Sequence, residues 1–486
     1  MSARFGALAE RLNSVRFKGA AREPTAVVPG SRLKHMPSSQ VQSLKKAATT
    51  VVEQLQTAGF PAFWVGGCVR DFLLGREPGD YDIATAALPG EVEKIFHRTI
   101  AVGRKFGVMV VVEKGHQFQV ATFRAESDYR DGRHPSTVSF GDAEADAQRR
   151  DFTVNGLFYD PVAGALHDWV KGEKDLRRRL IRTIGEPEER FAEDYLRLLR
   201  AVRFAAQLNF DIEPATFTGV KAGAANIKEI SAERIRDELL KLFSPPHAAR
   251  GLVLLRDSGL LEHVLPELAA TVTCEQSPDF HPEGTVFEHL VLMLKKMPAD
   301  AEPMLAWAVL LHDIAKPVTA SRDLETGSIH FYGHERIGAE MAELVLSRLR
   351  FPRKQIDDVV KAVRCHMQFK DALQMRKATL RRLLLRPTFP LELELHRLDC
   401  EGSHGRLDVY NFLVEQNQEL SKKPELVPPL LKGTDLIAMG MKPGPRMGAL
   451  LVELREKQLQ EELKTPGEAR EWVRTKLVAP SPQRKS

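Results

Sequence analysis

Cysteine is scarce in this chain, with four residues in 486, at Cys68, Cys274, Cys365 and Cys400, and no Cys-x-x-Cys spacing. Thiols so scattered argue against a disulfide framework or a zinc knuckle and predict reduced side chains. No apolar run approaches the ~18–20 residues that a membrane-spanning helix needs. No apolar segment follows the early basic residues either, so neither a membrane span nor a signal peptide is expected, and the expected location is cytoplasmic. Short tandem repeats are absent. A large excess of charge of one sign is absent too: the net charge is +5. The surplus is uneven, since residues 1–50 hold nine Lys/Arg against two Glu. With scattered Pro and Ser and little periodicity, residues 1–46 read as a basic, flexible N-terminal arm, able to hold a phosphate backbone or to act as an inert solubilising tail. What remains is long enough for about two to four units, at an ordinary 43% hydrophobic content.

The most informative stretch is Phe63-Trp64-Val65-Gly66-Gly67-Cys68-Val69-Arg70-Asp71, followed by Asp80-Tyr81-Asp82. An apolar strand, a glycine turn, an amphipathic segment and a second strand would present every polar group at one edge. Two acids one residue apart on a strand share a face, so Asp80 and Asp82 can hold a pair of Mg²⁺ ions. Gly66 and Gly67, without Cβ atoms, let backbone N–H groups approach a triphosphate, and Arg70 adds a cationic fork. A lone Asp-x-Asp is a common turn; the order of the parts is what points to nucleotidyl transfer.

Further blocks follow in order: Gln119 to Arg124, Arg149-Arg150-Asp151-Phe152-Thr153-Val154-Asn155-Gly156, Glu193-Asp194-Tyr195-Leu196-Arg197 running on to Ala205, and Ser231-Ala232-Glu233-Arg234-Ile235 with Glu238. Together they resemble the successive motifs of class II CCA tRNA nucleotidyltransferases and bacterial poly(A) polymerases, over about residues 47–460. The resemblance implies an α+β chain. A polymerase-β-like nucleotidyltransferase head (47–167), a small mixed sheet with helices, leads into an all-α neck for nucleobase selection (168–246), an HD body (247–410) and a helical tail (411–486). It also implies Mg²⁺ on Asp80 and Asp82, activating an RNA 3′-hydroxyl and neutralising the departing pyrophosphate. Polymerases of this type commonly use a third carboxylate, but the neighbouring strand offers Gln119, which carries no charge, and Glu113 is not assigned either.

Arg150, Asp151 and Asn155, with Arg149 beside them, combine cations for phosphate with short groups suited to ribose hydroxyls. Asp194 and Arg197, three apart on an expected helix over 190–208, offer an acceptor and a guanidinium fork to a base edge. Arg200 and Arg203, with Glu193, would support that helix, braced by Glu233, Arg234 and Glu238 as a buried network.

A second constellation comprises His289, His312-Asp313, His334, His366 and Asp399, spread over successive expected helices. It resembles an HD phosphohydrolase site: four imidazoles and two carboxylates able to enclose one or two divalent transition-metal ions. His-Asp inside the apolar stretch Leu305 to Ile314 is costly to bury without partners. The basic group Arg376, Lys377, Arg381, Arg382 and Arg386 is a solvated face or an RNA contact. Met447 to Leu463 reads as a tail helix that packs or contacts RNA.

Three functions are compatible with these residues. The first is addition of CCA to a tRNA or other RNA 3′ end from CTP and ATP, with a second HD-type hydrolysis. The others are a poly(A) or A-adding enzyme, and a metal phosphohydrolase with an RNA-binding head. Asp128 to Pro135 resembles the flexible loop of full CCA enzymes and argues against a CC-only enzyme.

Overall fold

The computed structural model describes residues 38–125, 140–277, 281, 283–422, 429–460 and 462–478. Most of the basic arm and the Asp128–Pro135 loop lie outside these residues. The arm ends earlier than expected, because Ser38–Thr57 is already one helix. Leu44, Ala48, Val51, Val52 and Leu55 recur at helical spacing and are all buried, so the apolar stripe that anchors the helix begins before residue 47. Lys45 on the same helix places its ammonium 4.7 Å from the Phe72 ring.

The head is a seven-stranded mixed sheet with the order β3-β4-β5-β2-β1-β6-β7. The strands are β1 (Ala62–Val65), β2 (Asp82–Thr85), β3 (Thr99–Gly103), β4 (Val108–Glu113), β5 (His116–Thr122), β6 (Phe158–Asp160) and β7 (Ala165–His167). β2 and β5 run parallel, while β1 pairs antiparallel with both β2 and β6. Lys114 (φ 49°) and Gly115 (φ 81°) close the β4–β5 hairpin. Positive φ at both loop residues matches the right-handed twist of the strands they join. Asp80 lies just ahead of β2 and Asp82 opens it, opposite Val65.

The chain then turns helical, with helices Pro187–Glu193, Leu196–Leu208, Pro214–Gly223 and Ala232–Leu242, punctuated by a two-residue parallel ladder of Leu180–Ile181 on Asp211–Ile212. The single helix expected over 190–208 is broken. Asp194 is extended (φ −156°, ψ 101°), and its carboxylate Oδ1 accepts the Leu196 N–H at 3.1 Å, a local bond that competes with helix continuation.

Helices Val286–Lys296, Pro303–Leu311, His334–Arg348, Arg353–Cys365 and Phe389–Gly402 form the body. One apolar core runs without interruption from Leu44 to Leu398. The tail has a core of its own, built on Leu431, Leu436, Met447, Leu454 and Val473. Its helix Pro445–Leu459 lies against Lys377–Leu384, where Arg382 pairs with Glu456 at 3.1 Å. Arg386 is likewise held, by Glu392 at 2.9 Å, so part of the basic group serves packing. No helix among the described residues is long and apolar enough to cross a membrane.

Candidate functional sites: a nucleotidyltransferase edge and a histidine-rich centre

The first site forms where β1 and β2 meet. Tyr81 turns into the core, with its ring 4.6 Å from that of Trp64, so Asp80 and Asp82 on either side both face solvent. Partial desolvation of its carboxyl group by the surrounding protein and the negative charge of Asp80 raise the Asp82 pKa, against the opposing pull of Arg150. By the parallel register, Gln119 falls beside Asp82, so the uncharged residue indeed occupies the neighbouring strand position. Glu113 lies at the far end of β5's hairpin, opposite His116.

Gly66 caps the helix Gly67–Leu73 with φ 75° and ψ −128°. A Cβ at Gly66 would fall 2.9 Å from Arg150 Nη1, whereas one at Gly67 would meet Arg70 Nη2 at an ordinary 3.6 Å. The Arg150 guanidinium is aimed there by Asp146, whose Oδ2 accepts from Nη2 at 3.0 Å, and it lies 5.0 Å from the Phe158 ring. Asp146 also accepts from the side chain of Arg149 and from the backbone N–H of Arg124. Sequence reasoning passed over this buried acid, although it stands three and four residues ahead of the two arginines.

Arg70 is not a free fork. Its Nη1 donates to Asn155 Oδ1 at 2.7 Å and its Nε and Nη2 bind Asp71. Asn155 Nδ2 donates to Asp151 Oδ1 at 3.1 Å, and Arg200 Nε donates to Asp151 Oδ2 at 2.7 Å. Arg70, Asn155, Asp151 and Arg200 thus form one chain of hydrogen bonds from the glycine turn to the first long neck helix. Phe204 sits among the arginines, 5.3, 5.2 and 3.9 Å from Arg70, Arg200 and Arg203. Burial works to raise the Asp151 carboxyl, but the Arg200 charge and the Asn155 bond hold it below the usual range.

Asp194 and Arg197 do not share a helix face. Asp194 Oδ2 accepts from Arg234 Nη2 at 2.7 Å, while Arg197 binds the Glu193 carboxylate and the Arg190 carbonyl. Arg203 is buried against Glu238, Nε to Oε2 at 2.5 Å. Glu233 is exposed and stands outside that network.

The second site gathers all six sequence-derived residues, His289, His312, Asp313, His334, His366 and Asp399. His312 and Asp313 fall just past the end of Pro303–Leu311 rather than within the helix. Three of the imidazoles approach a backbone carbonyl through Nδ1: His312 to Val309 at 2.9 Å, His334 to Phe331 at 2.7 Å and His366 to Val363 at 2.7 Å. A carbonyl only accepts, so in the neutral form that binds a metal each proton sits on Nδ1 and each Nε2 offers its lone pair. These lone pairs converge. His334 Nε2 and His366 Nε2 stand 3.2 Å apart, His334 Nε2 is 3.4 Å from Asp313 Oδ1, and His289 Nε2 is 3.2 Å from Asp399 Oδ1. His289 Nε2 and His312 Nε2 are buried without a hydrogen-bond partner.

Buried acceptors facing acceptors are costly unless a cation lies between them, so the donor set fits a divalent metal. Asp313 belongs both to a possible ligand group with His289 and His312 and to one with His334 and His366. Against its burial, His312 and Lys316 hold the Asp313 carboxyl well below the usual range. Burial together with the neighbouring imidazoles lowers His366 to about 4, whereas Asp399 and Glu283 overcome burial and raise His289 to about 9.

Four further residues line this centre that sequence reasoning did not select. Lys316 Nζ bridges Asp313 Oδ2 at 2.7 Å and Gln276 Oε1 at 2.6 Å, while Glu283 Oε1 lies 2.6 Å from His289 Nδ1 and 2.9 Å from His281 Nδ1. Lys316 is one helical turn beyond Asp313, a spacing that could have flagged it. Nothing local marks His281 or Glu283.

A mixed sheet with paired acids beside a glycine turn, joined to a helical body with a histidine-aspartate centre, defines a nucleotidyltransferase head carrying an HD domain. Family descriptions agree: a poly A polymerase head domain matches residues 62–182, a probable RNA- and SrmB-binding site of polymerase A matches 209–271, and an HD domain matches 285–397. The CCA-adding enzyme of Geobacillus stearothermophilus is 47% identical over 223 residues, 46% of this chain and 55% of that protein. The chain thus spans about half the length of such relatives in that match. The A-adding tRNA nucleotidyltransferase of Deinococcus radiodurans is 35% identical over 430 residues, 84% of this chain and 94% of that protein. The solved Bacillus stearothermophilus CCA-adding enzyme in complex with CTP superposes with a TM-score of 0.67 at 28% identity, covering 89% of this chain and 98% of that one. The chain belongs to the family of CCA-adding and A-adding tRNA nucleotidyltransferases. Both the head and the HD domain imply divalent metal ions.

Proposed function

We propose that the protein adds CCA to tRNA 3′ ends from CTP and ATP without a nucleic-acid template. The observation that carries this proposal is the bonded chain Arg70–Asn155–Asp151–Arg200 running from the edge that bears Asp80 and Asp82 to the neck helix. It couples the place where phosphate chemistry would occur to the place where a base would be read.

In this proposal Asp80 and Asp82 hold Mg²⁺, which when bound supplies Lewis-acid stabilisation of the phosphoryl charge. Gly66 and Gly67 leave room for the triphosphate backbone. Arg150, aimed by Asp146, meets its negative charge, and Asp151 and Asn155 shape the floor under the ribose. Arg70 acts through Asn155 rather than on the nucleotide. Asp194 and Arg197 present acceptor and donor to the base edge, held by Arg234 and Glu193, while Arg200 and Arg203 fix the helix that carries them. In the body, His289, His312, Asp313, His334, His366 and Asp399 would hold one or two divalent transition-metal ions. When bound these supply an activated water for hydrolysis of a phosphate ester, and Lys316 keeps Asp313 ionised and oriented.

A-only addition is the second reading, since an A-adding protein is among the relatives matched over nearly their full length. The test uses tRNA transcripts ending before CCA, after C and after CC, each with CTP alone, ATP alone or both. Ordered growth to CCA and a stop is the expected result. Addition of ATP only to the CC-ended transcript would establish the A-adding reading, and no incorporation would leave HD hydrolysis as the function.

A further inference from the structure

We propose that Glu283 is a positioning residue of the HD centre, fixing the tautomer and direction of His289, with His281 as its brace. This rests on the metal-binding reading of that centre. His289 is fully buried within the helix Val286–Lys296. Inside a helix the backbone carbonyls are consumed by bonds to the residues four ahead. His312 and His366 have no such problem, because each follows the end of a helix, where carbonyls are left over. His334 uses the Phe331 carbonyl from the segment before its own helix.

His289 therefore needs a side chain, and Glu283 provides it, with Oε1 at 2.6 Å from Nδ1. A carboxylate only accepts, so in the neutral form that binds a metal the proton is kept on Nδ1 and the lone pair is left to Nε2, which lies 3.2 Å from Asp399 Oδ1. Glu283 is itself held. His281 Nδ1 reaches the same oxygen at 2.9 Å, and the two rings meet edge to face at 4.9 Å. A carboxylate partner also makes an imidazole a stronger metal donor than a carbonyl partner does.

The experiment measures Mn²⁺ affinity by equilibrium dialysis and the visible spectrum of the Co²⁺-loaded full chain, for wild type, Glu283→Gln, Glu283→Ala, His281→Ala and Asp313→Asn. Expected are a loss of about 10- to 100-fold in Mn²⁺ affinity and an altered Co²⁺ spectrum in both Glu283 variants, with a smaller loss in His281→Ala. Circular dichroism of the metal-free Glu283→Gln protein, whose side chain is isosteric, should match wild type. Wild-type affinity and spectrum in both Glu283 variants would overturn the positioning role while leaving the metal centre intact. A whole equivalent of Mn²⁺ lost in His281→Ala would overturn it differently, by making His281 and Glu283 ligands of an additional ion. A wild-type chain that takes up no Mn²⁺ sensitive to Asp313→Asn would overturn both this inference and the HD metal reading.

Discussion

Arg200 donates through Nε to Asp151 Oδ2 at 2.7 Å, joining the helix Leu196–Leu208 to the turn that follows Arg149 and Arg150 in the head. Because Asp151 is held below the ordinary carboxylate range, its ionised form favours the folded state. That contribution is complete above the unfolded value of about 3.9 and is lost as pH falls through the lower folded value. Urea midpoints measured from pH 7 downward should therefore drop more steeply below about pH 4 in wild type than in Asp151→Asn. Equal slopes would show that the pair does not report on acid stability.

Arg203 and Glu238 are both buried and bonded at 2.5 Å, with the guanidinium over Phe204. Glu238→Ala strands a buried cation and should cost about 3–5 kcal/mol in chemical denaturation. The paired replacement Arg203→Met with Glu238→Leu should recover most of that loss. A single variant as stable as wild type would contradict the burial.

At the glycine turn, Gly66→Ala places a Cβ 2.9 Å from Arg150 Nη1 on a backbone with φ 75°. Strain of about 1–3 kcal/mol is expected, and it acts where the triphosphate is proposed to lie. Nucleotide addition should fall at least tenfold, chiefly through KM for the nucleotide. Gly75→Ala, also at positive φ but with open space around the new Cβ, is the control for backbone strain alone.

The two proposed sites share no residue, which predicts separable losses. Asp80→Ala should abolish nucleotide addition and leave Mn²⁺ uptake by the body, whereas Asp313→Ala should do the reverse. Incorporation assays and equilibrium dialysis on both variants decide this, and loss of both properties in either one would refute the two-site proposal.

Asp194 is held by Arg234 at 2.7 Å rather than by Arg197. Asp194→Ala should retain addition but relax the choice between CTP and ATP, and Arg234→Ala should do so more weakly by freeing the carboxylate. Unchanged selectivity in competition assays with both nucleotides would remove Asp194 from base reading.

The sequence exposed those features that are periodic or contiguous. The order of short motifs from Gly66 to Glu238 carried the family. The broken helix at Asp194 was hidden, because both flanks keep helical spacing and only the local bond to the Leu196 N–H decides the break. Helix Ser38–Thr57 was cut short in prospect, since its first turns carry mostly polar residues and the buried Leu44 gives little warning alone.

What the sequence determined by itself was the inventory: paired acids behind two glycines, five ordered blocks, and six metal-type ligands in order along the helical half of the chain. Those follow from residue identity and spacing, which tertiary contacts do not change. What only the tertiary structure decided was partnership. Arg70 is spent on Asn155 and Asp71, Asp146 aims Arg150, Lys316 meets Gln276 across 40 positions, and Glu283 rather than a carbonyl orients His289. Hydrogen bonds reach only about 3 Å, so which donor meets which acceptor depends on how the chain folds back on itself, and a linear pattern of residue types does not record that distance.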